Sequence, residues 1–406
     1  MAQFAAFLLA YTLSQFFRSF LAVIAPELST ELAIDATGLG TLSMAWFLAF
    51  ALAQFAVGAS LDRFGPRRTM PGFMCLAVAG AVLFAVATSF DLSIVAMALI
   101  GTGSAAIYMG AVYTFARTAP PERFAQLCSW LLGIGSIGNL LSATPLAYAV
   151  ETVGWRFAFA AIAVATAVAA LLVLVVVRDP PRAAEASGSR TSFAGALLEL
   201  ASIRAIWPMF PIVLVSYAVM LAERGLWVGP FLSEVHGLGP IERGNAILAM
   251  AAAMSIGALL YGPADRIFGT QKWVVVAGTA LTTLLFLGLG LMPELPRLSA
   301  VTALVLIGGV GMTYVVLLAH IRTYLPEHLL GRGITLVNFL FFFGAVLLQP
   351  LSGLLVDRLR ALGHAAADIY ALLHLSFAGL LFAGLVIYLA SRETNRGQSA
   401  TAPARR

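Results

Sequence analysis

Apolar runs of about 20 residues or more recur from Phe4 to Ala390, and about 20 consecutive apolar residues are what an α-helix needs to cross a hydrocarbon core. Inside that core the backbone must bond to itself, so each run is expected to be a helix. The runs fall near 4–28, 38–60, 69–88, 93–116, 124–150 and 156–177, and then 206–232, 243–264, 273–292, 298–320, 333–356 and 367–390. Only 11% of the 406 residues are charged, against roughly 25% in a soluble domain. Such a chain cannot cover a water-facing surface. The expected fold class is all-α integral membrane, with 12 transmembrane helices. The first run starts almost at Met1 with no basic segment ahead of it and contains Arg18. It therefore reads as a membrane helix and not as a cleavable signal.

Six runs, a polar spacer and six more runs point to a duplication. The spacer holds Asp179-Pro180-Pro181 and Gly188-Ser189 and ends in a short amphipathic piece, Phe193 to Ile203. The expected organisation is a bundle over 1–178, a linker over 179–204, a second bundle over 205–392 and a tail over 393–406. Basic residues set the orientation. With the N-terminus inside, the external loops hold Arg156, Arg243, Arg297, Arg358 and Arg360, Arg18 and Arg224 lie within helices, and the other seventeen of the 24 Lys and Arg residues fall on the inner side. That asymmetry is the positive-inside pattern. It places both termini in the cytoplasm, with Arg358 and Arg360 as a local exception beside Asp357 and Asp368.

Between the second and third runs lies Gly58-Ala59-Ser60-Leu61-Asp62-Arg63-Phe64-Gly65-Pro66-Arg67-Arg68, and the second half carries Gly262-Pro263-Ala264-Asp265-Arg266-Ile267-Phe268-Gly269-Thr270-Gln271-Lys272 at the matching place. Gly58 and Gly262 would permit close helix approach. Asp62 and Asp265 could accept hydrogen bonds at the N-terminus of a neighbouring helix. The duplicated loop resembles the signature loop of the major facilitator superfamily, whose pattern is roughly G-x-x-x-D-R-x-G-R-R. Gly154-Trp155-Arg156-Phe157-Ala158-Phe159 is similar to that family's entry to helix 6, and Leu325-Pro326, Gly331-Arg332 and Asn338 resemble its connection from helix 10 to helix 11. The resemblance covers nearly the whole chain. It implies two pseudo-symmetric six-helix bundles, alternating access, and a loop (Gly58, Asp62, Arg63, Gly65, Arg67, Arg68, Asp265 and Arg266) that latches the inner side shut. A bacterial inner-membrane location follows. The chain departs from the family's drug antiporters in two places. No basic residue precedes Gly101-Thr102-Gly103 in helix 4. In helix 5, Gly133, Gly135 and Gly138 are followed by Asn139-Leu140-Leu141-Ser142 in place of a proline and paired glycines.

A charge at mid-membrane is costly and usually faces a partner or a water-filled space. Arg18 in helix 1 and Glu223 with Arg224 in helix 7 are such charges. Tyr11 precedes Arg18 by seven residues, and Tyr217 precedes Arg224 by the same spacing. Tyr11, Ser14, Gln15 and Arg18 form one stripe at helical spacing. Tyr217 and Arg224 share a face that Trp227 would extend. Two guanidinium forks suit carboxylate or phosphate, an arrangement similar to the organophosphate exchangers of the superfamily. The expected substrate is thus a small organic anion. Glu223 is a candidate for proton coupling or else neutralises an arginine. Tyr108, Asn139, Tyr314 and Asn338 are weaker candidates for the same site, with packing as their plain alternative. Phe339, Phe341, Phe342 and Phe343 face either lipid or a gate.

The only lysine, Lys272, is in no phosphate-binding loop, and no zinc or disulfide spacing occurs. No enzyme, metal or cofactor is expected, and the scattered basic residues do not form a nucleic-acid stripe. The expected partners are the bilayer, an anionic small molecule, and protons or a counter-anion, acting on a monomer. An amphipathic cargo such as a lysolipid, drug or metal chelate is the rival substrate. A non-transporting receptor on the same fold is the rival function. The charge pattern makes a direct prediction. A fluorescent protein fused after Arg406 should light up inside the cell, and alkaline phosphatase fused there should be inactive; the reverse pattern would invert the topology.

Overall fold

The computed structural model describes residues 2–180, 202–292, 294–325 and 330–393. Most of the amphipathic piece Phe193–Ile203, Pro326 and nearly all of the tail lie outside the described residues. Every regular element among those residues is helical. In the first half, α1 runs over Ala2–Ser19 and Leu21–Glu31, α2 over Ala36–Phe64, α3 over Pro66–Ala85 and α4 over Phe90–Thr118. The broken α5 covers Pro121–Gly135, Ile137–Leu141 and Thr144–Val153, and α6 covers Trp155–Val176. In the second half, α7 runs from Arg204 to Glu234, α8 over Pro240–Ile267, α9 over Lys272–Leu291, α10 over Arg297–Val310 and Tyr314–Arg322, α11 over Leu330–Ala361 and α12 over Ala366–Tyr388. Eleven of these are long and apolar enough to cross a membrane, and the bent α1 makes 12.

The duplicated loops have the same local structure in both halves. Gly65 and Gly269 take φ of 75° and 69°, a region where a side chain would be strained. Two residues on, the Arg67 amide donates to Asp179 Oδ1 at 2.9 Å, and the Gln271 amide donates to Glu393 Oε1 at 2.9 Å. Each carboxylate follows the last helix of its half and caps the third helix, where the macrodipole favours negative charge. The return contact is also repeated. Arg67 Nε donates to Leu174 O near the end of α6, and Lys272 Nζ donates to Leu389 O and Ser391 O past α12. Cations there satisfy carbonyls that a helix end leaves open.

Two expectations for the loop are corrected by this geometry. Nothing lies within 4 Å of a Cβ built on Gly58 or Gly262, so neither glycine mediates a close helix approach here. Asp62 caps no helix. It is 73% exposed, 4.0 Å from Arg117 of α4, and the capping carboxylate is Asp179. The side chains of Asp265 and Arg266 lie outside the described set.

The halves meet tightly at the opposite end. Asp357 of α11 accepts the Ala36 amide at 3.0 Å, the Thr37 amide at 2.6 Å and the Thr37 hydroxyl at 2.5 Å, capping α2 across the boundary. Arg243 of α8 pairs with Glu27 of α1 at 2.7 Å, and Thr144 of α5 donates to Asn245 of α8 at 2.8 Å. Gly40, Gly229 and Gly353 rest directly on the carbonyls of Gln349, Ala22 and Ala36, where a Cβ would collide. The Ala22 carbonyl is the one that Pro26 cannot bond, so Gly229 packs on a group the proline released. Four of the five arginines expected in external loops form ion pairs at this end: Arg156 with Glu31, Arg243 with Glu27, Arg297 with Glu242 and Arg360 with Glu234. Arg156 of the Gly-Trp-Arg entry also donates to Ala85 O and Ala87 O, and Trp155 Nε1 donates to Glu31, so that motif ties α6 to α1 and α3. Asp357→Ala should cost about 1–3 kcal/mol, the range for a cap reinforced by charge-assisted bonds. The checks are a lower thermal midpoint and a longer spin-label distance between the α2 and α11 ends.

Candidate functional site

Four helices are interrupted between the packed end and the loop end: α10 at Gly311–Thr313, and α1, α5 and α7 around the mid-helix charges. In α1 the chain breaks at Phe20 and bends by 50°. The Ser19 hydroxyl bonds back to Gln15 O at 3.0 Å, a contact that bends helices. In α5 the ladder tightens at Ala143, whose amide bonds Leu140 O in place of Asn139 O. The freed Asn139 carbonyl accepts the Ser142 hydroxyl at 2.9 Å and Arg224 Nη2 at 3.1 Å. In α7 residues Glu223–Trp227 widen into a π turn, a feature common at functional sites. Gly135 and Gly138 of α5 lie against the Tyr11 ring and the Thr12 carbonyl. These glycines bring the α5 break onto α1, where Ser19 Oγ reaches Asn139 Oδ1 at 3.1 Å and Ser142 Oγ at 2.8 Å. The Asn139–Ser142 stretch that departs from the antiporter pattern is the receptor for Arg224.

Among the described residues, no carboxylate pairs with Arg18. Its guanidinium lies 5.6 Å from the Trp46 ring, 5.5 Å from Phe50 and 5.2 Å from Phe342, and its Nε is buried without a hydrogen bond. Arg224 is 6% exposed, and its Nε also lacks a partner. Glu223 does not neutralise either arginine. It points into the second half, where Oε1 lies 3.4 Å from His374 Nε2 of α12.

The tyrosines repeat across the halves. Tyr11 of α1 packs on Tyr108 of α4 with centroids 5.4 Å apart, and Tyr217 of α7 packs on Tyr314 of α10 at 4.4 Å. Phe342 packs on Tyr217 with centroids 5.9 Å apart and lies 5.2 Å from the Arg18 guanidinium, which joins the second pair to the Arg18 side. None of the four hydroxyls has a protein hydrogen bond among the described residues. Ser14 and Gln15 are buried on the same stripe, with Gln15 Oε1 unpartnered. The residues brought together are thus Tyr11, Ser14, Gln15, Arg18, Tyr108, Asn139, Tyr217, Arg224 and Tyr314.

Two candidates fall elsewhere. Trp227 is 1% exposed and its indole N–H donates to Ser352 at 2.9 Å; the π turn rotates it off the Tyr217–Arg224 face and into α11. Asn338 is exposed on α11, with no contact to either arginine. The phenylalanine run divides. Phe341 and Phe342 are buried, and Phe342 packs on Tyr217 and on Phe47 and Phe50 of the other half. Phe339 and Phe343 stack on each other. Sequence reasoning missed Trp46, Phe50, Phe342 and His374 as neighbours of the charged groups. His374 carried a signal, since an ionisable residue in an apolar run calls for a partner; the aromatic residues carried none. Trp227→Phe should lower stability by about 1 kcal/mol, one buried hydrogen bond, while uptake stays within twofold or so of wild type. Transport kinetics beside a melting curve check this.

The family model described as Major Facilitator Superfamily matches residues 7–261 and 225–406, and the chain belongs to that family. It is similar to the fosmidomycin resistance protein of Escherichia coli, 31% identical over 160 residues that make up 38% of this chain and 39% of that protein. It is also similar to the uncharacterized transporter YybO of Bacillus subtilis, 29% identical over 150 residues, 37% of this chain and 34% of that one. The matches thus span less than half the length of these relatives. Among solved structures, a bacterial homolog of the human lysosomal transporter Spinster, inward-facing and occupied, superposes with a TM-score of 0.80 at 16% identity, covering 96% of each chain. A D-xylose-proton symporter gives 0.77 at 13% identity, covering 94% of this chain and 97% of that one. A nucleoside transporter gives 0.77 at 12% identity, covering 96% and 100%. At these identities the likeness concerns the fold alone.

Proposed function

We propose that this transporter carries a small organic anion, a carboxylate or a phosphate ester, across the bacterial inner membrane by alternating access, with Arg18 and Arg224 holding the negative group. The observation that carries the reading is that Arg18 Nε and Arg224 Nε are buried without hydrogen bonds, and that among the described residues neither guanidinium meets a carboxylate. An arginine at mid-membrane costs roughly 2.5–3.5 kcal/mol on insertion scales. Ring faces return about 0.5–1 kcal/mol each where water still reaches, so Arg18 is only partly compensated. Its positive charge is left for a ligand. The Tyr11–Tyr108 and Tyr217–Tyr314 pairs, Ser14, Gln15 and Asn139 supply the remaining polar contacts.

The packed end fits one stage of the cycle. With the loop end inside, as the basic residues imply, the described contacts close the outer side and leave the latch around Asp62 loose. Glu223, one residue from Arg224 and facing His374, is the proton-coupling candidate. The chain acts as a monomer with both termini in the cytoplasm. The aromatic lining favours a second reading, in which the cargo is amphipathic and only its head group is anionic.

A thermal-shift panel of small carboxylates, phosphate esters, fosmidomycin and a lysolipid separates these readings. A ligand at a hundred times its Kd stabilises by about 2.7 kcal/mol. Removing one charge-assisted contact of about 1.5–3 kcal/mol should weaken binding roughly ten- to hundredfold in Arg18→Ala and Arg224→Ala, with lysine restoring part of it. If both alanine variants bind and accumulate every anion that wild type does, the arginines are not the substrate ligands. Stabilisation by the lysolipid alone selects the second reading.

A further inference from the structure

Glu223 and His374 are both 0% exposed. One contact of 3.4 Å joins them, and Glu223 Oε2 and His374 Nδ1 are buried without partners. Phe231 meets the imidazole edge-on at 5.0 Å and Phe286 lies 6.0 Å from it. Few charged groups face this pair. From α7, Arg224 follows in sequence but is directed to Asn139 O. From α12, Tyr370 lies one turn before His374, and its hydroxyl is buried without a hydrogen bond. Glu234 is held by Arg360 of α11 at 2.7 Å near the packed end. The connection after α7 brings His236 against Phe231. The only ionisable residue of α9, Lys272, lies at the loop end.

A lone buried charge without full hydrogen bonding is expensive. The pair is neutral overall when it holds one proton, on Glu223 Oε1 or on His374 Nε2. Losing that proton leaves a carboxylate beside a neutral imidazole, a state that becomes cheap once alternating access brings water to the pair. Taking up a second proton would leave a buried imidazolium with nothing opposite. The cheap states therefore differ by one proton.

We infer that Glu223 and His374 together hold one exchangeable proton, which makes His374 a working part of ion coupling in the second half. What that proton drives rests on the anion-transport reading above; the proton site stands on its own geometry. The test needs no substrate. Proteoliposomes of the full chain on a solid-supported membrane are given a pH jump, and the displaced charge is recorded. Wild type should give a transient current that Glu223→Gln and His374→Gln lose, while Glu242→Gln, a surface carboxylate, keeps it. Histidine 15N spectra add a second reading, because Glu223→Gln should move one of the five histidine signals and its titration. No current in wild type, wild-type currents in both pair variants, loss in Glu223→Gln alone, or unmoved histidine signals would each overturn the inference. Should His374→Gln fail to fold, the Glu223→Gln current and the histidine spectra decide.

Discussion

A chain in hydrocarbon must bond its own backbone, and an interruption of a helix leaves groups that something nearby has to satisfy. Much of this molecule follows from where that constraint is relaxed. The break in α1 at Phe20, the tightened turn of α5 at Ala143 and the π turn of α7 from Glu223 gather around two arginines. The carbonyl that α5 releases at Asn139 holds Arg224. The carbonyl that Pro26 releases at Ala22 lies under Gly229. The same irregularities therefore position the site and seat one half on the other.

The π turn also sorts the two charges of α7. Glu223 and Arg224 are adjacent in sequence, yet one enters the second half toward His374 and the other crosses to α5. That divergence keeps a carboxylate from neutralising the arginine, and it links two sites through one short stretch of backbone. The polar contacts at the packed end are different in kind. Asp357, Glu27 and Asn245 bond across the boundary between the halves, each to a group on a helix of the other half.

Duplication was legible in the residues and is sharper in three dimensions. The sequence displayed two related loops and two Tyr-x6-Arg spacings. The fold adds two tyrosine pairs and two carboxylate caps, Asp179 and Glu393, that no motif announced. The caps were hidden because each carboxylate lies more than a hundred residues from the amide it binds. The roles given to Gly58, Gly262 and Asp62 were misplaced for a related reason. A glycine or an aspartate at a helix end states what contact is permitted, not whether a neighbour stands there.

The residues alone determined that the chain spans a membrane with twelve helices, because the length and apolarity of each run are set by bilayer thickness and backbone hydrogen bonding, both local properties. They also singled out Arg18, Glu223 and Arg224 as charges within helices, since position along a helix is read directly, although His374 was passed over. Only the tertiary structure decided what those groups face. Arg18 meets rings from α2 and α11, Arg224 meets a carbonyl freed in α5, Glu223 meets His374, and Trp227 is turned away by a half-step in the helical register. Partners on other helices, and the rotation that one extra residue per turn imposes, are matters of packing between segments, on which the periodicity of a single helix carries no information.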